Sequence, residues 1–66
     1  MFNEYDVVKL KRELPGNPIP LGAKGTVLMV FGAPTEGYEV EFMDRAGNSL
    51  GVFTVHPNDI ELSTER

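Results

Sequence analysis

A chain of 66 residues with ten acidic against six basic side chains, a net charge of −4 and no cysteine is a single small domain without disulfide or thiolate-metal staples. Its longest unbroken apolar run, Val27 to Phe31, is far short of the ~20 residues a membrane-spanning helix needs. The acidic balance repels phosphate backbones, so nucleic acid is a disfavoured partner.

At 41% hydrophobic and 24% charged residues, the composition is that of a folded globular domain. Burial must supply the stability, because a chain of this length has only ~3–5 kcal/mol to spare. The N-terminus, "MFNEYDVVKL", is acidic and lacks the basic start and apolar core of a secretory signal, so a cytoplasmic location is expected. No apolar pattern holds a helical period. Five prolines and seven glycines punctuate short β-rich runs, as in a small barrel or sandwich.

The first run, "DVVKLKREL", turns Val8 and Leu10 to one face and Lys9 and Lys11 to the other. Val7 breaks that alternation and is expected to be covered by Phe2 or Tyr5. "PGNPIPLGAKG" follows, rich in residues that cannot serve a strand ladder, and reads as a long first loop. "GTVLMVF" is apolar on both faces, which predicts a bent central strand covered on both sides.

"GAPTEG" supplies turn geometry before "YEVEF", where Tyr38, Val40 and Phe42 share one face and Glu39 and Glu41 the other. "MDRAGNS" places Asp44 at the start of a turn and Gly47 where a positive φ is tolerated. "LGVFTV" is the fourth strand. In "HPNDIEL" a 3₁₀ turn over Pro57, Asn58 and Asp59 precedes a last short strand with Ile60 and Leu62, and "STER" reads as a frayed end. The expected fold is all-β: one small, five-stranded, partly open barrel, ordered over about residues 6–62.

Residues "DVVKLKREL", "LGAKGTVLMV", "GYEVEFMDRAGNSLGVFTV" and "HPNDIEL", in that order, resemble a bacterial family of small SH3-like barrel proteins of unknown function. The likeness covers roughly residues 6 to 62. It implies a five-stranded, partly open barrel and carries no activity with it. More distantly, "LGAKGTV" is similar to the KOW motif of ribosomal proteins and transcription factors. The strand order is similar to small accessory subunits of photosystem I and of nitrile hydratase. KOW segments are rich in Lys and Arg around the glycines, whereas only Lys24 lies between Gly22 and Gly25 here.

Gly22 and Gly25 admit two readings, a phosphate-cradling loop or a bend at the entry to a barrel strand. A strand follows them where a phosphate loop needs a helix N-terminus, which favours the bend. His56 is the only histidine, so it is read as a surface residue beside the 3₁₀ turn, and Asp59 as a cap of that turn. With no nucleophile motif and little room for a pocket, the chain is read as no enzyme, with no catalytic residue, metal or cofactor.

Two groups remain as partner-binding candidates. Glu36, Glu39, Glu41 and Asp44 form an acidic strip that is either a solvated face or a docking surface for a basic protein. Pro18, Ile19 and Pro20 either pack over the open end of the barrel or contact a partner, with Phe31 and Phe53 as neighbours. The function expected is a non-enzymatic protein-interaction module or small accessory or regulatory subunit, with antitoxin- or immunity-like neutralisation as one version. A KOW-like nucleic-acid or ribosome-associated role is the alternative. A free strand edge also allows a homodimer.

Overall fold

The computed structural model describes residues 2–16, 18–32 and 36–63. Its strands are β1 (Val7–Leu10), β2 (Lys24–Phe31), β3 (Gly37–Met43), β4 (Ser49–Val55) and β5 (Ile60–Leu62), with a 3₁₀ turn, Pro57–Asp59, before the last. They form one antiparallel sheet in the order β4-β3-β2-β1-β5. The sheet is open between β4 and β5. The five-stranded, all-β, partly open fold expected from the alternating runs is therefore present.

One face of this single sheet supplies the core. Val8, Leu10, Val27, Tyr38, Val40, Phe42, Val55 and Ile60 are at most 1% exposed. A flat layer leaves both faces wet; these side chains are dry because the strands curl around them, and Ile19 of the first loop closes the assembly as part of the same cluster. Pairings Val27↔Val40 and Val40↔Phe53 run this apolar stripe across three strands.

Curvature comes from two irregularities. Register shifts by one residue between Val27 and Met29, leaving Leu28 as the extra residue of a bulge. There the chain before β1 takes up the slack: Tyr5 N–H donates to Val27 O (2.6 Å) and Val27 N–H donates to Asp6 O (3.0 Å). The second shift lies between Phe42 and Met43. Gly25 faces Phe42 across the ladder and is the point of closest approach. A Cβ there would lie 2.5 Å from Val40 Cγ1 and 2.9 Å from the backbone oxygen of Glu41.

Several expectations are corrected. The first strand ends at Leu10, because the chain leaves the ladder at Lys11, whose N–H donates to Asp59 O (2.9 Å). Val7 is 43% exposed, since Phe2 turns inward to stack edge-on against Tyr38 instead of covering it. The second strand is central but is not covered on both sides. Leu28, Met29 and Val30 stay exposed, because among the described residues no second layer packs over that end of the sheet. The turn "GAPTEG" and the end "STER" include residues 33–35 and 64–66, which lie outside the described residues.

Candidate functional site

The period of two that buries Tyr38, Val40 and Phe42 sends Glu39 and Glu41 to the outer face of β3. Antiparallel register fixes what surrounds them. Glu41 stands opposite Thr26 on β2 and Val52 on β4, and Thr26 in turn faces Val7 on β1. Glu39 stands opposite Met29 on one side and Thr54 on the other. The Thr54 hydroxyl donates to Glu39 Oε1. Two half-buried carboxylates, two residues apart, are thus set in a field of exposed Val7, Met29 and Val52.

Like charges held roughly 7 Å apart on one strand face reinforce each other's field. With Met29 at 49% and Val52 at 49% exposure, the field is flanked by apolar surface that a partner would cover. The next row of the same face carries Lys9 and Lys24, with the Lys9 ammonium 3.6 Å from Glu61. The outer face is therefore graded, with basic groups at the β1 side of one end and acidic groups over β3.

The other acidic residues of the predicted strip do different work. Asp44 anchors the β3–β4 turn. Its carboxylate accepts from the backbone N–H groups of Ala46 and Asn48 (both 2.9 Å) and from the Asn48 side chain (3.2 Å). The Asn48 N–H above all holds its carboxyl below the usual range. Gly47 completes the turn at φ +88°. Asp44 is thus the Asx-type anchor that its place in "MDRAGNS" predicts.

Glu36 turns toward the end of the sheet, where it accepts from the Tyr38 hydroxyl (2.5 Å), and that hydroxyl accepts from Phe2 N–H (3.2 Å). Burial first, and Glu36 second, push the Tyr38 phenol above its ordinary value. An acid whose folded pKa exceeds its unfolded one holds its proton longer in the native state, so native stability falls as pH rises past the unfolded value near 10. In an alkaline titration with parallel denaturant melts, Tyr38 ionises at higher pH in the folded chain than in the unfolded one, and the melting midpoint drops above about pH 10. Tyr38→Phe flattens that drop.

Of the loop candidates, Ile19 is 5% exposed and belongs to the core, whereas Pro18 and Pro20 are exposed. The structure therefore separates the seven candidates: Glu39 and Glu41 share the outer face, Glu36 and Asp44 serve local bonds, and Ile19 is interior. Phe31 is half-buried at the end of β2, and half-buried Phe53 packs against Phe42 with ring centroids 6.5 Å apart.

His56 is exposed, and its backbone N–H donates to Asp59 Oδ2 (2.9 Å). Asp59 also lies 3.8 Å from the Arg12 guanidinium, which ties the first loop to the 3₁₀ turn. These residues line an open depression of about 450 Å³ with Leu14 and Phe53. Both oxygens of Asp59 are engaged in holding the fold together. No group of three or more His, Cys, Asp or Glu among the described residues has the arrangement to hold a metal ion, and no helix among them is long and apolar enough to cross a membrane.

Thr26, Met29, Val52 and Thr54, which frame the two glutamates, are not legible as a group from sequence. Each run shows its own alternation, but cross-strand neighbours depend on register, and the bulge at Leu28 resets it.

A family model described as "Domain of unknown function (DUF4926)" matches residues 4–62. No curated protein and no solved structure matches the chain.

Proposed function

We propose that this chain, which belongs to the DUF4926 family, is a non-enzymatic protein-interaction module whose outer sheet face docks a basic protein partner. The observation that carries the reading is the pair Glu39 and Glu41, side by side among exposed Val7, Met29 and Val52. A lysine or arginine with an apolar neighbour satisfies both features at once, the charge meeting the carboxylates and the stem covering the valines. An accessory or regulatory subunit works in this way, by covering part of another protein. Neutralisation of a basic toxin is one version, supported by small size and a net charge of −4.

The SH3-like barrel architecture implied by the sequence motifs belongs to this proposal, as does a bacterial, cytoplasmic setting. The latter is supported by a core this small that forgoes cysteine, where secreted domains of similar size rely on disulfides.

The test is affinity capture from the native cell with the wild-type chain, Glu39→Lys/Glu41→Lys and Glu4→Lys, the last an exposed control in the segment before β1. A basic protein retained by wild type and Glu4→Lys, released by salt and lost with the double reversal, is the expected result. Retention undiminished by the double reversal, with circular dichroism showing a folded chain, overturns the reading. Binding of mixed RNA with a steep inverse salt dependence would replace it with the nucleic-acid alternative.

A further inference from the structure

We infer that the free edge of β4 pairs antiparallel with β4 of a second copy, making a two-fold dimer with one continuous sheet. The argument begins with which backbone groups are left over. Leu10 N–H donates to Ala23 O (2.9 Å), and Gly22 N–H donates to Leu10 O (2.7 Å), so the even residues of β1 serve β2. Ser63 N–H donates to Val7 O (2.9 Å), so the odd residues serve β5.

In an antiparallel ladder this alternation propagates from strand to strand. Val8 takes Gly25; Thr26 then serves Glu41, and Val40 serves Phe53. On β4 that consigns Gly51, Phe53 and Val55 to β3. Val52 and Thr54 are left with N–H and C=O groups directed away from the sheet, and among the described residues β4 has no second strand partner.

An open edge of this kind is normally blunted by charge, proline or brevity. The other edge, β5, has two of these, being three residues long and carrying Glu61, which pairs with Lys9. β4 is seven residues, "SLGVFTV", without a charge or a proline, and Leu50 and Val52 are exposed on it. Its only blunting device is the shift between Phe42 and Met43, with Gly51 at φ +124°, which twists the end near Ser49 and confines pairing to the Val52–Val55 end.

Charge selects the occupant. Copies carrying −4 each repel wherever their acidic surfaces meet, and β4 is the strand that carries none. In a β3-β4-β4-β3 arrangement, Glu41 and its counterpart are separated by three strand spacings, roughly 14 Å. That is well beyond the ~8 Å screening length at physiological salt. The uncharged edge has nothing with which to select a charged foreign peptide, whereas an antiparallel copy about a two-fold axis reproduces the same hydrogen-bond spacing and twist. Since β5 is short and charged, assembly closes at two.

The pairing is short, so it belongs with weak and reversible interfaces. Sedimentation velocity of the full chain between about 1 µM and about 1 mM is expected to show a concentration-dependent monomer–dimer equilibrium. Val52→Lys sets two lysines beside the two-fold axis and is expected to raise the dissociation constant at least ~10-fold. A second measurement needs no variant: amide exchange at Val52 and Thr54 slows with concentration, while that at Phe53, already bonded to β3, does not change. A chain that stays monomeric across the range, or a dimer indifferent to Val52→Lys whose Val52 and Thr54 amides exchange at a fixed rate, overturns the inference.

Discussion

Phe42→Ala is expected to leave the chain without a cooperative folded state at room temperature. Phe42 is wholly buried near the end of β3, faces Gly25 on one side and Gly51 on the other, and packs its ring against Phe53. Truncating a buried phenylalanine to alanine costs ~3–5 kcal/mol through lost burial and the cavity left behind. A domain of this size has only ~3–5 kcal/mol in hand. Its glycine neighbours have no side chains to move into the space, so the loss falls at the upper end. Circular dichroism and urea titration of the variant should show no sigmoidal transition. A cooperative melt within ~1 kcal/mol of wild type would mean that the sheet collapses around the gap, and that the core is more plastic than this packing implies.

Gly25→Ala is expected to cost about 3 kcal/mol for the opposite reason, overpacking. The added methyl would meet Val40 Cγ1 at 2.5 Å, Glu41 O at 2.9 Å and Phe42 Cδ1 at 3.0 Å. A side-chain carbon can rotate aside; the backbone oxygen can move only if β2 and β3 separate. Gly22 provides the contrast. It has φ +84°, and a methyl added there would meet nothing within 4 Å, so Gly22→Ala should lose only the ~1–2 kcal/mol of a left-handed backbone in a residue with a Cβ. Denaturant midpoints of the two variants measured side by side check the ranking. Equal midpoints would show that the crowding around Gly25 is relieved by small shifts of its neighbours.

These two glycines also show how far the sequence could be read. That the pair shapes the entry to β2 follows from residue type and the strand behind it; that one glycine is needed for conformation and the other for contact does not. The contact depends on what β3 brings across the ladder. "YEVEF" declared both of its faces because its period of two is unbroken, and the structure keeps Tyr38, Val40 and Phe42 inside. "GTVLMVF" offered apolar residues at successive positions, so its exposed half around Leu28 and Met29 could not be told from a buried one without knowing that no second layer covers the sheet there among the described residues. The acidic strip was legible as composition but not as a site. Asp44 is drawn off by the turn it starts, which was legible, and Glu36 by a hydroxyl that only the folded backbone brings within reach, leaving Glu39 and Glu41 on the outer face.

The place of β1 between β2 and β5 has a consequence for the order of events during synthesis. Strands β2, β3 and β4 pair with neighbours in the chain, so those contacts form by short, fast loop closures. β1 has one neighbour near at hand and one, through Val8↔Leu62 and Leu10↔Ile60, that follows only after β2, β3 and β4. While the ribosome still holds Ile60, Leu10 has no lid and the interior stays wet on that side. The nascent meander must therefore wait, with its apolar face uncovered, until the last strand has cleared the exit tunnel.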